Sequence, residues 1–320
     1  MDMKGLFAMS KKAIASRLLQ MLIVLIGISF LTFLLTYIST GDPVRNMYLA
    51  SGIMPDEEHI AVTREKMGLN DPFLMQYGRW LKNCLHGDFG RSYSLNKPVA
   101  ELLAARLLPT LKLTVFSMAI MLVTAVPLGI LSAVFKDRPI DYIIRFLTFF
   151  GVSVPNFWAG LLLMLLFSVR LKLLPVVSSS GTFRDLILPA VTLALAMSAK
   201  YTRQVRTAVI EELSSDYVIG ERARGIPEWK ILWRNVLLNS MLPLITLFGI
   251  SIGSLLGGTC IVEVIFSYPG LGNLAVSAIT SCDYNLIQGY VLWISVIYMT
   301  VNFIVDTSYK FIDPRVRLWW

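Results

Sequence analysis

Residues 215–243 read SDYVIGERARGIPEWKILWRNVLLNSMLP, and they hold most of the charge of a long interior segment in an otherwise apolar chain. Apolar runs flank this segment, one over residues 186–201 and one over residues 236–262. Runs of this kind are typical of helices that cross a membrane. The segment is therefore predicted to be a loop on the membrane surface that contacts another protein.

Turn signals divide this loop into three parts. Ser215 or Asp216 can cap a helix that runs to Arg224, and Gly225 can end that helix in the left-handed conformation. Pro227 then suits the first turn of a second helix, which leads into the next apolar run. The pattern predicts a short helix, a glycine turn and an amphipathic helix. A plain solvated loop explains the charges but not the turn signals.

The composition is that of an integral membrane protein. Of the 320 residues, 55% are hydrophobic and only 16% are charged, which is too few charges for a soluble surface of this size. The formal net charge of +8 comes from basic residues scattered between apolar runs, which favours membrane orientation over nucleic-acid binding. Cys84, Cys260 and Cys282 have no metal-site spacing and indicate no disulfide framework.

Six apolar runs are predicted to cross the membrane, so the fold class is an all-α integral membrane protein. The runs are 18–38, 109–135, 146–169, 186–201, 236–262 and 284–305. The first run is longer than the core of a signal peptide and has no obvious small-residue cleavage site after it. It is predicted to remain in the protein as the first transmembrane helix.

The predicted spans set the domain organisation. An N-terminal tail covers 1–17, a polar domain covers 39–108, and a transmembrane core covers 109–320 with the coupling loop at 203–235. The tails and the interior segments carry most of the lysines and arginines, so both termini are predicted to be cytoplasmic and the polar domain extracytoplasmic. The short outside ends and loops carry only Lys112, Arg170, Lys172 and Arg184.

Two helices are predicted in the polar domain. One begins with Pro-Asp-Glu-Glu at 55–58 and ends near Gly68, and the other covers 72–86. The second has an apolar face formed by Leu74, Tyr77, Leu81 and Leu85. Packing within the domain is the expected use of this face, with the membrane or a partner as alternatives.

Four residues are candidates for a pathway or gate. Pro155 interrupts the third span, so a kink is expected near Asn156, either to line a pathway or simply for packing. Glu263 is a carboxylate close to apolar residues, followed by a turn at Pro269. Because an unpaired charge is costly inside a membrane, Glu263 is expected at the interface or in a wet cavity, with a solvated helix end as the alternative.

The fifth span contains glycines at every fourth position. Gly249, Gly253 and Gly257 fall near one stripe and are predicted to let another helix approach closely, within this chain or in a partner. Gly249–Gly253 also matches the G-x-S-x-G pattern of a serine hydrolase. The match lies inside an apolar helix far in sequence from His59 and His86, so no catalytic residue is assigned.

Several segments resemble one transporter family. D-Y-V-x-x-x-R-A-x-G at 216–225, followed by Pro243, is similar to the coupling motif of permease subunits in ATP-binding-cassette importers of the dipeptide/oligopeptide/nickel family. The likeness covers nearly the whole chain. Other segments that resemble family signatures are 40–43 (TGDP), 68–72 (GLNDP), 76–77 (QY), 87–90 (GDFG), 266–272 (FSYPGLG) and 313–317 (DPRVR). Segments 151–158 (GVSVPNFW) and 283–288 (DYNLIQ) are most similar to the nickel-import branch.

The sequence differs from the family's coupling motif at one point, which limits the residue roles that the resemblance implies. Residues 219–221 read IGE where the broader motif has Glu-Ala-Ala, so the docking role is carried over for the segment and not for the motif's glutamate. The residues expected to contact the ATPase are Asp216, Tyr217, Glu221, Arg222, Ala223, Arg224, Gly225 and Pro227.

The resemblance implies a type I importer permease fold in the bacterial inner membrane. It implies a second homologous permease in a heterodimer, two ATP-binding subunits inside and a solute-binding protein outside, with no nucleic acid. ATP and Mg are expected on the partner subunits, and no cofactor, resident metal or catalysis on this chain. The absence of a G-x-x-x-x-G-K-[ST] phosphate loop agrees with that division.

The resemblance implies nickel, free or chelated, as the substrate, with di- and oligopeptides as the alternative. Cys84 and His86 lie close in sequence, but two ligands on a polar loop rarely make a metal site. Two other classes remain open: a secondary transporter without ATPase partners, and an intramembrane hydrolase that uses Ser251.

Overall fold

The computed structural model describes residues 11–312 apart from 40–41, 51, 53, 55 and 179–181. Helices dominate this part of the chain, and the only pairing between extended segments within it is an isolated bridge between Arg91 and Pro98. The helices are α1 (Lys11–Ile38), α2 (Pro43–Ala50), α3 (Glu57–Lys66), α4 (Phe73–Leu85), α5 (Val99–Val134), α6 (Pro139–Ser153), α7 (Asn156–Leu163), α8 (Phe183–Leu213), α9 (Asp216–Ala223), α10 (Glu228–Ile231), α11 (Leu237–Ile265), α12 (Leu271–Thr280) and α13 (Tyr284–Ile312). Short π-helical stretches follow α7 and α10, at Met164–Arg170 and Leu232–Val236.

Three of the described helices are long and apolar enough to cross a membrane, over Ala15–Ile38, Val99–Val134 and Tyr284–Val305. A fourth candidate is the bent pair Pro139–Ser153 and Asn156–Arg170, if the two halves count as one span. The prediction of an all-α membrane protein is confirmed. The count of six spans and the position of the termini stay predictions.

Two helix boundaries differ from the predicted ones, and one helix was not predicted. Helix α5 begins at Val99, so Pro109 lies inside it and not in its first turn. Helix α8 continues to Leu213, which makes the first part of the predicted loop helical. Helix α12 was not predicted at all, because its ten residues follow a Pro-Gly turn and are too few to show a clear helical period.

The break at Pro155 is larger than the expected kink. Helices α6 and α7 meet at an angle of 101°. Val154 and Pro155 both have extended backbone conformations there, as expected for a proline and the residue before it. The segment is thus two short apolar helices joined by a sharp corner.

The chain forms two compact units. As far as the residues are described, the first comprises Met1–Leu107, Leu274–Thr300 and Val316–Trp320, and the second comprises Leu108–Asn273 and Val301–Arg315. The predicted domain boundaries at 38, 108 and 203–235 stay predictions.

In the first unit, α4 packs against α1 through aromatic rings. Phe73, Tyr77 and Trp80 contact Phe30 and Phe33 with ring centroids 5.4–5.6 Å apart. These three rings recur at helical spacing and offer more apolar area than the leucines of the predicted face. The prediction of internal packing therefore holds, although the packed face is rotated.

The predicted leucine face of α4 is only partly used. Leu74 is 70% exposed and Leu85 is 80% exposed. Both leucines therefore lie off the stripe that faces α1.

In the second unit, α8 is the central helix and packs against α6, α7 and α11. Its apolar core includes Leu188 and Leu193 of α8 together with Leu113, Val262 and Phe266 from neighbouring elements. This core lies directly beside the turn that follows α11.

Candidate functional site

The segment quoted at the start forms a corner of two helices, here called the coupling corner (residues 215–228). Helix α9 ends at Ala223, and Gly225 takes the left-handed conformation with φ +75°. The backbone N–H of Gly225 donates to Arg222 O at 2.9 Å, and that of Ile226 donates to Glu221 O at 3.2 Å. This is the hydrogen-bond pattern of a glycine C-cap, and it confirms the predicted turn.

The N-terminal cap of α9 differs from the predicted one. Neither Ser215 nor Asp216 makes a side-chain capping hydrogen bond. Instead, Ser215 Oγ donates to Glu212 O at 2.6 Å, which ties it back to the last turn of α8. The hydroxyl therefore links two helices and caps neither of them.

The coupling corner is anchored on the second unit by one buried side chain and one tyrosine. Val218 is fully buried in a cluster that includes Val209 of α8 and Ile231 of α10. Tyr217 donates its hydroxyl hydrogen to Glu212 Oε2 at 2.7 Å. Burial and the Glu212 carboxylate both raise the pKa of Tyr217, which therefore stays protonated at neutral pH.

An ion pair closes the coupling corner on its outer side. Arg222 Nε donates to Glu228 Oε1 at 2.7 Å, and its Nη2 donates to Oε2 at 3.2 Å. Both side chains are more than one third exposed. The Arg222 guanidinium lowers the pKa of Glu228, but solvent screening keeps the contribution of such a pair small.

Three other predicted contact residues are accessible. Ala223 and Pro227 are exposed, and Arg224 makes only a long hydrogen bond from Nε to Gly220 O at 3.3 Å. Ile219, which the sequence did not single out, is 56% exposed on the same helix. The corner thus presents an apolar and a cationic group to the solvent.

Only one of the two carboxylate oxygens of Glu221 accepts a hydrogen bond from the described residues. Its Oε1 accepts a hydrogen bond from Asn235 Nδ2, whereas its Oε2 is buried without a partner among the described residues. A buried carboxylate oxygen without a donor is costly, and because this oxygen has almost no exposed surface, a donor from outside the chain could reach it only if the side chain moved.

The second candidate site is the turn after α11, here called the buried corner (residues 263–273). Glu263 is fully buried, which rules out the alternative of a solvated helix end. Its Oε1 accepts from Thr110 Oγ1 at 2.9 Å, and its Oε2 accepts from the backbone N–H of Asn273 at 2.9 Å. The carboxylate is satisfied by the chain itself, which sequence spacing cannot show.

The buried corner is also tied to α5 at the proline inside that helix. Tyr268 donates its hydroxyl hydrogen to Pro109 O at 3.0 Å, and the backbone N–H of Leu271 donates to Thr110 Oγ1 at 2.8 Å. Pro269 lies between these two contacts. The structure therefore brings Glu263 and the Pro269 turn together, as a hydrogen-bonded joint against α5.

Glycines make this joint possible. A Cβ atom at Gly270 would lie 2.3 Å from Cδ of Glu263, and one at Gly272 would lie 2.5 Å from Cα of Cys260. Both distances are shorter than any ordinary contact, so side chains at these positions would force the turn away from α11.

Pro155 and Asn156 lie at the 101° corner between α6 and α7, and both are exposed. They stay candidates for the pathway. No sequence signal separates them from a corner that serves packing alone.

Gly249, the first glycine of the stripe on α11, packs closely against α13 of the same chain. A Cβ atom at Gly249 would lie 2.0 Å from Cγ1 of Val305. Gly253 is buried, and the surroundings of Gly257 lie outside the described residues. Ser251 lies inside the α-helix and accepts a hydrogen bond from the Tyr201 hydroxyl, so the G-x-S-x-G match does not form a nucleophile elbow.

A buried ion pair was missed by the sequence analysis. Asp141 is fully buried and accepts from Arg206 Nε at 2.8 Å and Nη2 at 2.7 Å, and from Asp137 N at 3.0 Å. It joins the loop after α5 to α8. No local signal pointed to this pair, because Asp141 follows the charged residues 136–138 and a solvated carboxylate is the ordinary expectation there.

The surroundings of Cys84 and His86 do not favour metal binding by this pair. Burial, with the nearby Asp88 carboxylate, raises the pKa of Cys84 to about 12, which disfavours the thiolate that binds metal. His86 Nδ1 lies 2.8 Å from Lys82 O and is occupied by that backbone contact. Within the described part of the chain, no group of three or more His, Cys, Asp and Glu residues could hold a metal ion.

Comparison with known proteins agrees with this organisation. The family model described as the binding-protein-dependent transport system inner membrane component matches residues 125–318, and the one for the N-terminal part of that membrane component matches residues 10–114. The chain is 37% identical over 304 residues to the glutathione transport system permease protein GsiC of Salmonella paratyphi A, covering 95% of this chain and 98% of the relative. It is 36% identical over 309 residues to the metal-staphylopine import system permease protein CntB of Staphylococcus aureus, covering 96% and 98%.

A solved structure shares the fold. An inward-facing form of the MetNI methionine ABC transporter matches 66% of this chain and 96% of its own, with a TM-score of 0.55 and 18% identity. From the two family models and the full-length relatives, the chain belongs to the family of inner-membrane permease components of binding-protein-dependent ABC importers.

Proposed function

We propose that this permease forms half of a pathway that imports nickel as a chelate, and that the coupling corner transmits the work of ATPase subunits to it. The observation that carries the proposal is the coupling corner itself. Its backbone is fixed by the glycine cap and by buried Val218, while Ile219 and Arg224 remain accessible. A rigid, exposed corner joined to α8 and α11 can pass a push from a partner into the core.

The assembly in which this corner would work contains several other subunits. A second homologous permease would complete the pathway, two ATP-binding subunits would dock inside with ATP and Mg, and a solute-binding protein would dock outside on the 39–108 domain. In this arrangement the N-tail 1–17 and the loop 203–235 lie in the cytoplasm. The chain itself hydrolyses nothing.

The chelate is favoured over the bare ion by two observations. One relative is a permease for metal-staphylopine and another is a permease for glutathione, so the solutes of both relatives contain an organic molecule. The raised pKa of Cys84 and the backbone contact of His86 Nδ1 also disfavour direct binding of a bare nickel ion by this pair. Import of di- or oligopeptides is the second candidate, supported by the glutathione relative.

Uptake by the complete system in proteoliposomes tests the proposal. Radioactive nickel would be offered free and bound to a small carboxylate chelator, with ATP inside, for the natural chain and for Gly225→Val. We expect ATP-dependent uptake of the chelate and its loss in the variant. Uptake of free nickel alone would contradict the chelate, competition by unlabelled dipeptides would favour the peptide candidate, and uptake without ATPase subunits would establish a secondary transporter.

A further inference from the structure

Segments of the first unit that resemble family signatures, and that the coupling role does not use, surround one cavity. The cavity has a volume of about 400 Å³. Its lining includes residues from 68–70, 88–90 and 284–288, together with Pro43 and Gln76. Segments far apart in sequence thus meet at a hollow whose size is typical of small-ligand sites.

The lining combines aromatic rings with side-chain amides. The amides are Asn70, Gln76, Asn83, Asn285 and Gln288, and rings come from Phe33, Trp80, Phe89 and Tyr284. An amide side chain offers both a donor and an acceptor, which is what a peptide bond requires from its surroundings. The rings provide flat apolar surfaces for the rest of such a ligand.

Hydrogen-bonding capacity remains free in this lining. Trp80 Nε1 is buried without an acceptor among the described residues, and the side chains of Asn70 and Asn83 make no hydrogen bond with any of those residues. Gln76 donates through Nε2 to Leu69 O at 2.9 Å and to Asp71 O at 2.7 Å, which leaves its carbonyl oxygen available. A buried indole N–H without an acceptor is unusual, and because Trp80 lines the cavity, a ligand or a water molecule held there can supply the acceptor.

The charges of the lining fit a ligand with two opposite ends. Arg64 and Arg79 each bind an aspartate, Asp42 and Asp71, through Nη2, and each guanidinium retains further N–H donors. Asp88 lies in the same lining and provides a negative group. A carboxylate at the arginines and an ammonium at Asp88 would both be matched.

We propose that this cavity binds a short zwitterionic peptide, as a low-affinity site for the solute within the permease. The assignment deepens the proposed function, on which it rests, by giving the organic part of the solute a peptide-like character. Bare nickel does not fit the site, because the lining offers amides and guanidinium groups and only one carboxylate.

Binding of reduced glutathione, used as a zwitterionic tripeptide probe, tests the cavity. The full chain in lipid nanodiscs would be titrated by calorimetry, as the natural protein and as Trp80→Phe and Asn83→Ala. Trp80→Phe keeps the ring that contacts Phe33 and removes only the N–H, so we expect about fivefold weaker binding. Trp233→Phe, which changes an exposed indole of the second unit, serves as the matched control and should bind like the natural chain.

Three results would overturn the proposal: no binding at millimolar glutathione, equal affinity in all variants, or equal competition by nickel chloride alone. A fourth would be that the two cavity variants weaken only the docking of the solute-binding protein, since the cavity would then hold a loop of that partner. ATP-dependent uptake by the complete system separates the two proposals, because uptake without peptide binding would leave the proposed function intact and reject the cavity.

Discussion

The coupling corner and the buried corner are both helical turns built around a glycine and a glutamate, but they use these residues in opposite ways. In the buried corner the Glu263 carboxylate accepts hydrogen bonds from Thr110 and Asn273 of the same chain. In the coupling corner Glu221 keeps one buried oxygen without a partner, and Arg224 is almost unengaged. The first corner is closed by its own chain, and the second presents groups that a partner can complete.

Removing the Glu263 carboxylate should have the largest effect. Glu263→Ala leaves the Thr110 hydroxyl and the Asn273 N–H without their acceptor in a buried site, which costs about 2–5 kcal/mol in unfolding free energy. Thermal unfolding in detergent, followed by size-exclusion of the surviving protein, measures it. Glu263→Gln keeps one acceptor oxygen and should be intermediate. Equal stability of all three proteins would show that the buried corner is not held by this carboxylate.

Two glycine-to-alanine substitutions, one in each corner, should have the next largest effects on stability and should act in opposite directions. Gly270→Ala places a Cβ against Glu263 and should cost about 1–3 kcal/mol by overpacking. Gly220→Ala lies in α9, where a Cβ meets nothing within 4 Å, and should stabilise the chain by up to about 1 kcal/mol through helix propensity. The same unfolding assay compares the two variants. The contrast fails if both alanines shift the transition in the same direction.

Gly225→Val tests the coupling corner by straining its backbone without creating a steric clash. A Cβ there meets no neighbour, yet the left-handed conformation costs a non-glycine residue about 1–2 kcal/mol, and more when it is β-branched. We expect the chain to remain in the membrane while ATP-dependent uptake falls several-fold. Gly225→Asn is the matched control, since asparagine tolerates this conformation, and it should retain most of the uptake. Normal uptake by the valine variant would contradict the proposed coupling role of this corner.

The Arg222–Glu228 ion pair should have the smallest effect. Arg222→Glu should cost about 0.2–1 kcal/mol, and the exchange Arg222→Glu with Glu228→Arg should restore it. Because Arg222 lowers the pKa of Glu228 in the folded chain, the stabilisation is complete at neutral pH and is lost as the pH falls below the usual range of a glutamate. Unfolding measured from pH 7 down to about pH 2 follows this loss. A pH dependence that survives in Arg222→Gln would assign it to another group.

Arg224 can be compared with Arg222 of the same corner in its effects on stability and on uptake. Its charge is not used by the described residues beyond one long hydrogen bond, so Arg224→Glu should leave stability unchanged and reduce only the uptake coupled to ATP. Uptake and unfolding measured on the same preparation separate the two effects. A stability loss equal to that of Arg222→Glu would assign Arg224 a role inside the chain.

The sequence predicted the coupling corner well and the buried corner poorly, and the reason is the range of the interactions. Gly225 and Pro227 determine the conformation of their own backbone, so the local residue pattern was enough to locate the turn. Glu263 depends on Thr110, 153 residues away in sequence, and no local pattern pairs them. The alternative of a solvated Glu263 could not be dismissed from the sequence, because the pattern shows that a charge needs a partner but not where the partner lies.

The helix ends show the same limit. The early start of α5 was hidden because its first turns carry Glu101 and Arg106, which look like part of a polar domain. The 101° corner at Pro155 was foreseen in position but not in size, since a proline frees one backbone carbonyl without fixing the angle that follows.

The buried carboxylate also sets an order of assembly during synthesis. A charged side chain in an apolar helix costs about 2.5–3.5 kcal/mol on insertion into a membrane if it enters alone. Synthesis from the N-terminus puts Thr110 in place before Glu263, and Asn273 follows within ten residues. Chain growth therefore makes one donor before the Glu263 carboxylate and the other ten residues after it, so neither donor depends on a distant later segment of the chain.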